Sequence, residues 1–193
     1  MEREECSFAG ERIDYDFVQS PLGSAVVAVS NLGIAAILFG RDRDALAMDL
    51  RNVLAGAILI ENEGAFAEIR DAVAAALAKP DRKTHLALDL RGTAIERAVW
   101  TALLEVPAGT LITYGALARR LPFPATAQEV GAACAANRVA VIVPCHRVVK
   151  ADGGISGYRW GVWRKRRLIN LEDLSGTAWE GAQSAQAANV RHD

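Results

Sequence analysis

An unbroken apolar run, Val139–Val143, ends at Pro144 and is followed at once by Cys145 and His146. Five apolar residues in a row favour a buried strand, and proline, which has no backbone N–H, favours the end of one. The sequence therefore predicts that Cys145 lies where a buried strand ends. A cysteine becomes a strong nucleophile when its surroundings lower the thiol pKa from about 8.5, and His146 and Arg147 are residues of the kind that do so. Buried cysteines are more often inert, so these residues alone do not establish a reactive site.

The composition indicates a globular chain with free thiols. Of the 193 residues, 51% are hydrophobic, which is enough to bury a sizeable core. The three cysteines, Cys6, Cys134 and Cys145, form no CxxC pair and no even framework, which favours a reducing compartment. No apolar run approaches the roughly 18 residues of a membrane span, and the N-terminus lacks the apolar segment of a signal peptide. We therefore expect a cytoplasmic protein without a membrane partner. We also expect no zinc site, because four ligands at suitable spacing cannot be assembled.

Charge is distributed unevenly along the chain. Residues 1–90 carry 9 Lys and Arg against 15 Asp and Glu, whereas residues 91–172 carry 12 against 5. Because the net charge of the whole chain is only −1, a basic section of this kind favours a polyanionic partner. Two lobes that merely differ in charge would give the same pattern.

The first half of the chain predicts a small α/β lobe over residues 13–90, preceded by a solvated tail over residues 1–12. Three β-rich runs separated by turn residues predict an antiparallel meander over 13–18, 24–30 and 34–39. Helices are predicted from Asp44, as the N-cap, to about Ala57 and over residues 66–78. Short strands are predicted over residues 58–60 and 86–90.

The second half, residues 91–172, is predicted to be a mainly helical domain, and residues 173–193 are predicted to be a disordered tail. Three helices are expected, each started by a threonine cap: Thr93–Leu104, Tyr114–Leu121 and Thr126–Ala136. The third is rich in glycine and alanine, so its backbone can approach another element closely. The second and third helices fit a helix-turn-helix, although on pattern alone an ordinary packed hairpin is the commoner explanation.

The residues around Cys145 add further candidates for a binding site. Asn137 follows the third helix, where it could cap the helix or turn its amide toward Cys145. Glycine and aromatic residues alternate over 155–163, where the backbone could lie against a ligand and the rings could enclose it. The four cations Arg164–Arg167 then open a last helix that ends near Glu172, and they fit either a solvated face or phosphate contacts.

The stretch from about Thr93 to Glu172 resembles the catalytic domain of the O6-alkylguanine-DNA alkyltransferases, also called methylated-DNA–protein-cysteine methyltransferases. The centre of the match is Ile142–Val149, which contains the Pro-Cys-His-Arg core. The amino-acid sequence of residues 134–138 and 156–161 is most similar to the C-terminal half of the proteins in the bacterial adaptive-response (Ada) branch of the family. The other matching residues are Val99, Trp100, Pro107, Ala108, Gly109, Thr113, Tyr114, Leu117, Ala118, Val130, Gly131, Asn137, Gly153, Gly157, Tyr158 and Glu172.

This resemblance implies both a fold and a reaction. The fold is an α/β N-terminal lobe with a small antiparallel sheet, and a winged-helix-like C-terminal domain carrying a helix-turn-helix. The implied reaction takes place on duplex DNA, which a monomer binds in the minor groove. An O6-alkylguanine, or an O4-alkylthymine, is flipped into a pocket, and its alkyl group passes to Cys145 in one in-line displacement. No cofactor takes part, and the protein is consumed.

The resemblance also implies roles for individual residues. His146 would deprotonate Cys145 through a water, and Glu172 would orient His146. Asn137 would brace the site, and Tyr114 would donate a hydrogen bond or a proton to the leaving guanine. The residues expected to contact the base or the DNA are Gln128, Cys134, Arg147, Val148, Tyr158 and Arg159.

One residue departs from the family pattern. Gln128 stands where the family has an arginine that fills the gap left by the flipped base. Glutamine brings no charge, and the neighbouring Glu129 repels phosphate, so we expect weaker DNA binding or slower flipping. Gln128 also favours an alternative function, that of a non-catalytic DNA-damage binder of the alkyltransferase-like kind. A hydrolase using Cys145 and His146 is a weaker alternative, because it leaves the basic domain unexplained.

Overall fold

The structure, a computed structural model, describes residues 7–81, 84–155 and 157–172. The predicted C-terminal tail, Cys6 and the first residues of the predicted N-terminal tail lie outside the described residues. The tail prediction is wrong for residues 7–12, because this segment packs against the protein. Phe8 is only 2% exposed, and the guanidinium carbon of Arg91 lies 4.3 Å from the centre of its ring. A buried aromatic ring under a cation anchors the segment, and its last residue, Arg12, already begins the first strand.

The N-terminal lobe is built on a four-stranded sheet of order β3-β2-β1-β4. The antiparallel pairing predicted for the first three strands is confirmed. The fourth strand runs parallel to β1, so the sheet is mixed rather than antiparallel. Alternation of side chains predicts which face of a strand is buried, but not the direction of a strand that returns after a helix. The strands are β1 (Arg12–Ser20), β2 (Gly23–Val29), β3 (Ile34–Phe39) and β4 (Ile58–Glu61).

Two helices belong to the same lobe, α1 (Arg43–Val53) and α2 (Ala67–Ala78). The N-cap of α1 is Asp42 and not Asp44 as predicted, because the Asp42 carboxylate accepts a hydrogen bond from the backbone N–H of Ala45 at 2.9 Å. Asp44 lies in the first turn, where a negative charge also favours the helix. The strand predicted over 86–90 is reduced to a single bridge between Leu88 and Ile34.

The second half contains four helices among the described residues. The N-cap threonines of two of them, Thr93 and Thr126, make the expected reciprocal bonds with a glutamate three residues on. The second predicted helix is shorter than expected and ends at Ala118. Trp100 donates from its indole nitrogen to the backbone oxygen of Ala133 at 2.8 Å, which ties the first of these helices to the third. The elements are α3 (Ala94–Leu104), β5 (Ile112–Thr113), α4 (Tyr114–Ala118), α5 (Ala127–Ala136), β6 (Val148–Val149) and α6 (Val162–Glu172).

The apolar run Val139–Val143 is buried but is not a strand, so that prediction is wrong. Among the described residues, the run pairs with a strand at one position only, where Val139 forms a parallel bridge with Ile37 of β3. The chain then turns at Val141, whose φ of 69° is rare for a β-branched residue. The backbone N–H of Val143 donates back to the oxygen of Val139 at 3.1 Å. The run is apolar because it crosses the core, and Cys145 opens a 3₁₀ turn that ends at Arg147.

One hydrophobic core continues through both halves of the molecule. Residues from β1, β2 and β3 and from α3, α5 and the Val139–Val143 segment belong to the same buried cluster. Within the described ranges, no helix has the length and apolar character needed to cross a membrane.

Candidate active site

Cys145 lies at the start of the 3₁₀ turn and is 3% exposed. The side-chain amide of Asn137 donates to the Sγ atom of Cys145 at 3.2 Å and to the backbone oxygen of Val143 at 3.0 Å. Its amide oxygen accepts from the backbone N–H of Val139 at 2.8 Å. Asn137 is the C-cap residue of α5, so the end of this helix directly fixes the environment of the sulfur.

The two residues after Cys145 belong to a buried hydrogen-bonded group of ionisable side chains, His146, Arg147 and Glu172. The Nε2 atom of His146 and Oε1 of Glu172 are 2.7 Å apart. Arg147 donates to the same carboxylate from Nε and from Nη2, the latter at 2.8 Å from Oε1. Arg147 also donates to the backbone oxygen of Val106. The backbone N–H of Gly109 also donates to Oε2 of Glu172, at 3.3 Å.

The charge states of this group follow from burial and hydrogen bonding. Burial disfavours the ionised form of Glu172, but the hydrogen bonds from His146 and Arg147 prevail and lower its pKa to about 2. Burial lowers the pKa of His146, and this outweighs the opposing effect of Glu172. His146 is therefore neutral at pH 7 and able to accept a proton. Its Nδ1 atom is buried without a hydrogen-bond partner among the described residues.

The thiol itself is not activated in the resting protein. Burial raises the pKa of Cys145 to about 11, and the hydrogen bond from Asn137 only partly offsets this. The cations that favour the thiolate are Lys165 and Arg159, not Arg147 as the sequence suggested. A group that removes the proton is therefore needed for chemistry at neutral pH.

Lys165 is a fully buried cation whose involvement the sequence analysis missed. It is 0% exposed, and Nζ donates to the backbone oxygen of Val148 at 2.6 Å. Residues 165, 168, 169 and 172 are spaced as one face of a helix, and this pattern could have indicated that Lys165 points inward with Leu168, Ile169 and Glu172. The four-cation segment is therefore not uniformly a solvated face.

A cavity of about 540 Å³ opens beside Cys145. One wall comes from small residues of α5, where Gly131 lies close enough to the Tyr114 ring that an added Cβ would be 3.8 Å from it. The segment after Cys145 contributes Lys150, Tyr158 and Arg159 to the other, more polar wall. The cavity is lined by Tyr114, Ala127, Gly131, Cys134, Ala135, Cys145, Lys150, Gly157, Tyr158 and Arg159.

Several predicted contact residues therefore share one cavity, while others do not reach it. Tyr114, Cys134, Tyr158 and Arg159 line it together with Cys145. Arg147 instead lines a second cavity of about 440 Å³ behind the 3₁₀ turn, because its guanidinium is held by Glu172.

Two more predicted contact residues lie outside the cavity wall. Val148 is fully buried and pairs with Ile112 in the small parallel sheet of β5 and β6. Gln128 is exposed in the first turn of α5, beside the cavity residue Ala127.

Fold and site together define a class of protein in which one buried cysteine lines a cavity and is followed directly by a buried, neutral histidine. Comparison with known proteins gives the family. A family model described as 6-O-methylguanine DNA methyltransferase, DNA binding domain, matches residues 94–174. The methylated-DNA–protein-cysteine methyltransferase of Methanosarcina mazei is 31% identical over 159 residues, which are 82% of this chain and 96% of that protein. The chain therefore belongs to the methylated-DNA–protein-cysteine methyltransferase family.

Other relatives extend this comparison. The bifunctional transcriptional activator/DNA repair enzyme Ada of Escherichia coli is 41% identical over 160 residues, 83% of this chain. The chain spans only 45% of that protein and 42% of the Ada regulatory protein of Salmonella typhimurium. Among solved structures, the O6-methylguanine methyltransferase of Mycobacterium tuberculosis superimposes with a TM-score of 0.68 at 34% identity, covering 83% of this chain and 93% of that one. A structure of the M. tuberculosis protein in complex with DNA matches with the same TM-score at 32% identity, covering 83% and 92%.

Proposed function

We propose that this protein repairs DNA by moving an alkyl group from O6 of guanine to Sγ of Cys145, and that it is consumed in doing so. The observation that carries the proposal is the position of Cys145, which lines the cavity and is held by Asn137 next to the His146–Glu172–Arg147 chain. A thiolate that attacks an alkyl carbon forms a stable thioether, so one cysteine serves one lesion. O4-alkylthymine, which carries the alkyl group on a comparable exocyclic oxygen, is included in the proposed substrate range.

The proposed step is a direct displacement. The Cys145 proton passes to His146, and a water between Sγ and Nδ1 is the route we assign, because Nδ1 is buried and unpartnered among the described residues. The sulfur then forms a bond to the alkyl carbon as the carbon–O6 bond breaks. The electron pair goes to O6, and Tyr114 donates a hydrogen bond or a proton to the departing base. No further reactant is required.

Glu172 and Arg147 act through His146 rather than on the substrate. When His146 takes up a proton, Glu172 at 2.7 Å stabilises the imidazolium. Arg147 keeps this carboxylate ionised and oriented by donating to both of its oxygens. We therefore propose Arg147 as a positioning residue for Glu172, in place of the DNA contact predicted from the sequence.

The proposed partner is duplex DNA, bound by a monomer through α4 and α5 as the two helices of a helix-turn-helix in a winged-helix-like domain. The basic balance of residues 91–172 supports a polyanionic partner. Ala127, Gly131, Cys134 and Ala135 of α5 line the cavity, so a base flipped at this helix has a short path to Cys145. We also propose that residues 13–90 form a separate lobe that supports the catalytic domain of residues 91–172.

The decisive experiment is mass analysis of the Cys145 peptide after incubation with duplex DNA containing O6-methylguanine. We expect a gain of one methyl group on Cys145 and none in a Cys145→Ser variant, with repair stopping at one lesion per protein. Retained lesion binding without a mass gain would instead identify the non-catalytic DNA-damage binder that Gln128 favours. Turnover of an ester or amide would identify a cysteine hydrolase.

A further inference from the structure

The hydroxyl of Tyr158 is the second unpartnered polar group of the site. Its oxygen is buried, and no hydrogen-bond partner for it exists in the described parts of the chain. The only other buried side-chain atom of this kind there is Nδ1 of His146. A buried hydroxyl without a partner destabilises the free protein, so its presence calls for a group that pairs with it at another stage.

The position of this hydroxyl limits what that group can be. Tyr158 lines the same cavity as Cys145, and its ring packs against Trp160 with the centroids 5.2 Å apart, so the ring is fixed. The oxygen makes no hydrogen bond to Sγ, whose bond comes from Asn137. Burial, and after it the charge of Cys145, raises the pKa of Tyr158 well above its usual value. The hydroxyl thus remains a protonated donor on a side chain that lines the same cavity as Cys145, and it makes no hydrogen bond to the sulfur.

An in-line displacement is accelerated by a donor beside the leaving atom. The attacking sulfur, the transferred carbon and the leaving O6 atom lie roughly in a row, so O6 is near the sulfur but separated from it by one carbon. Negative charge develops on O6 as the carbon–oxygen bond breaks, and a fixed donor at this position lowers the barrier.

We propose that the hydroxyl of Tyr158 donates a hydrogen bond to the leaving O6 atom in the transition state and is thus a catalytic residue. The proposal rests on the alkyl-transfer function proposed above. No proton leaves Tyr158: the electron pair of the broken bond stays on O6, which the hydrogen bond stabilises. The assignment also explains why the cavity keeps a hydroxyl that the free protein leaves unpaired.

The test is Tyr158→Phe, which removes only this oxygen. Single-turnover transfer from O6-methylguanine in a duplex is expected to slow by about 100-fold, as when one preorganised donor is lost. The melting temperature of the free protein should stay the same or rise, because the unpaired hydroxyl is gone. For S6-methyl-6-thioguanine, whose leaving sulfur is a weak acceptor, the variant should lose less than about 10-fold.

Tyr15→Phe is the matched control, since the Tyr15 hydroxyl donates to Glu61 in the sheet lobe at 3.3 Å and is remote from the cavity. Wild-type protein and this control must both gain a methyl group on Cys145, and if neither does, the proposed function itself has failed. If they do, an unchanged rate for Tyr158→Phe, an equal loss on both lesions, or a lowered melting temperature would each overturn the assignment of Tyr158 to O6.

Discussion

At the scale of single residues, removal of the Cys145 proton is the difficult step at neutral pH. With a pKa of about 11, roughly one thiol in 10⁴ is ionised at pH 7 in the resting protein. In the proposed mechanism the proton is therefore removed by His146, which burial keeps neutral. Because the pKa of His146 lies below its usual 6.5, its base form is present at pH 7 and is lost only as the pH falls through that lowered pKa.

The corresponding prediction concerns His146→Gln. In the wild type, the transfer rate should be constant above pH 7 and should fall only at acidic pH. In the variant, the rate at pH 7.5 should fall by about 100-fold or more, because general base catalysis is lost. The remaining rate should rise about tenfold per pH unit toward pH 11, following direct ionisation of Cys145. Single-turnover rates between pH 5.5 and 10 measure this, and a flat profile in the variant would exclude His146 as the base.

The residue types of the site could be predicted from the sequence, but the directions in which their side chains point from the 3₁₀ turn could not. Cys145, His146 and Arg147 are consecutive, and the sequence treats them as one cluster. In the 3₁₀ turn, the side chains of Cys145 and Arg147 line two different cavities. The cation close in sequence therefore serves Glu172, whereas the cation that acts on the thiol, Lys165, comes from α6. Sequence adjacency does not give side-chain direction across a turn.

At the scale of elements, the N-terminus of α5 carries Gln128, where the resemblance to the family implies an arginine. Gln128 is exposed there, and the neighbouring Glu129 bonds to the backbone N–H and the hydroxyl of Thr126, each at 2.7 Å. These bonds hold the pKa of Glu129 below its usual value, so its negative charge is fixed at the helix start. Phosphate binding at this helix terminus is weakened by that charge.

Gln128→Arg is therefore expected to accelerate repair. The arginine adds a positive charge on the face of α5 that is proposed to meet the DNA, and it can fill the gap left by the flipped base. We expect about a tenfold gain in the second-order rate of methyl transfer from a duplex with O6-methylguanine. Met48→Arg, at a position of α1 that is 63% exposed, adds the same charge elsewhere and should give no gain. Equal rates for wild type and Gln128→Arg would remove the argument that Gln128 impairs flipping.

Helix starts were predictable, whereas the path of the apolar run was not. The capping boxes at Thr93 and Thr126 depend on residues three positions apart, so the local sequence contains all the information. The run Val139–Val143 indicates burial correctly, but a strand also needs a partner, and only Val139 finds one. The turn at Val141, with its φ of 69°, is imposed by tertiary packing and has no signal in the sequence.

At the scale of the whole molecule, the N-terminal sheet extends into the catalytic half. The backbone N–H of Ile37 in β3 donates to the oxygen of Arg138 at 2.8 Å, and its oxygen accepts from the N–H of Ala140 at 3.0 Å. Asn137, which holds the Cys145 sulfur, directly precedes this bridge. The sheet thus fixes one end of the segment that leads to the nucleophile.

Ile37→Pro is predicted to damage the site from a distance. Proline removes the N–H that bonds to Arg138, so we expect a loss of about 3 kcal/mol or more in the free energy of unfolding. The rate of methyl transfer should fall as well, because the support of Asn137 is weakened. Ile37→Val, which keeps the backbone bonds, should cost about 1 kcal/mol and leave the transfer rate intact. Denaturant unfolding and single-turnover transfer are the measurements, and a proline variant with wild-type transfer would show that the bridge is dispensable.

The bridge at Ile37 also affects how far the amino-acid sequence of the N-terminal lobe can vary. It uses only backbone atoms, so almost any residue except proline can supply the same two hydrogen bonds at that position. At this contact the lobe can change side chains and keep the two hydrogen bonds, as long as the apolar core that both halves share stays filled. The match to the family model begins at residue 94, whereas the four-stranded sheet that bonds to the segment before Cys145 lies entirely before that residue. Natural variation in the first 90 residues is therefore a poor guide to how strongly repair depends on them.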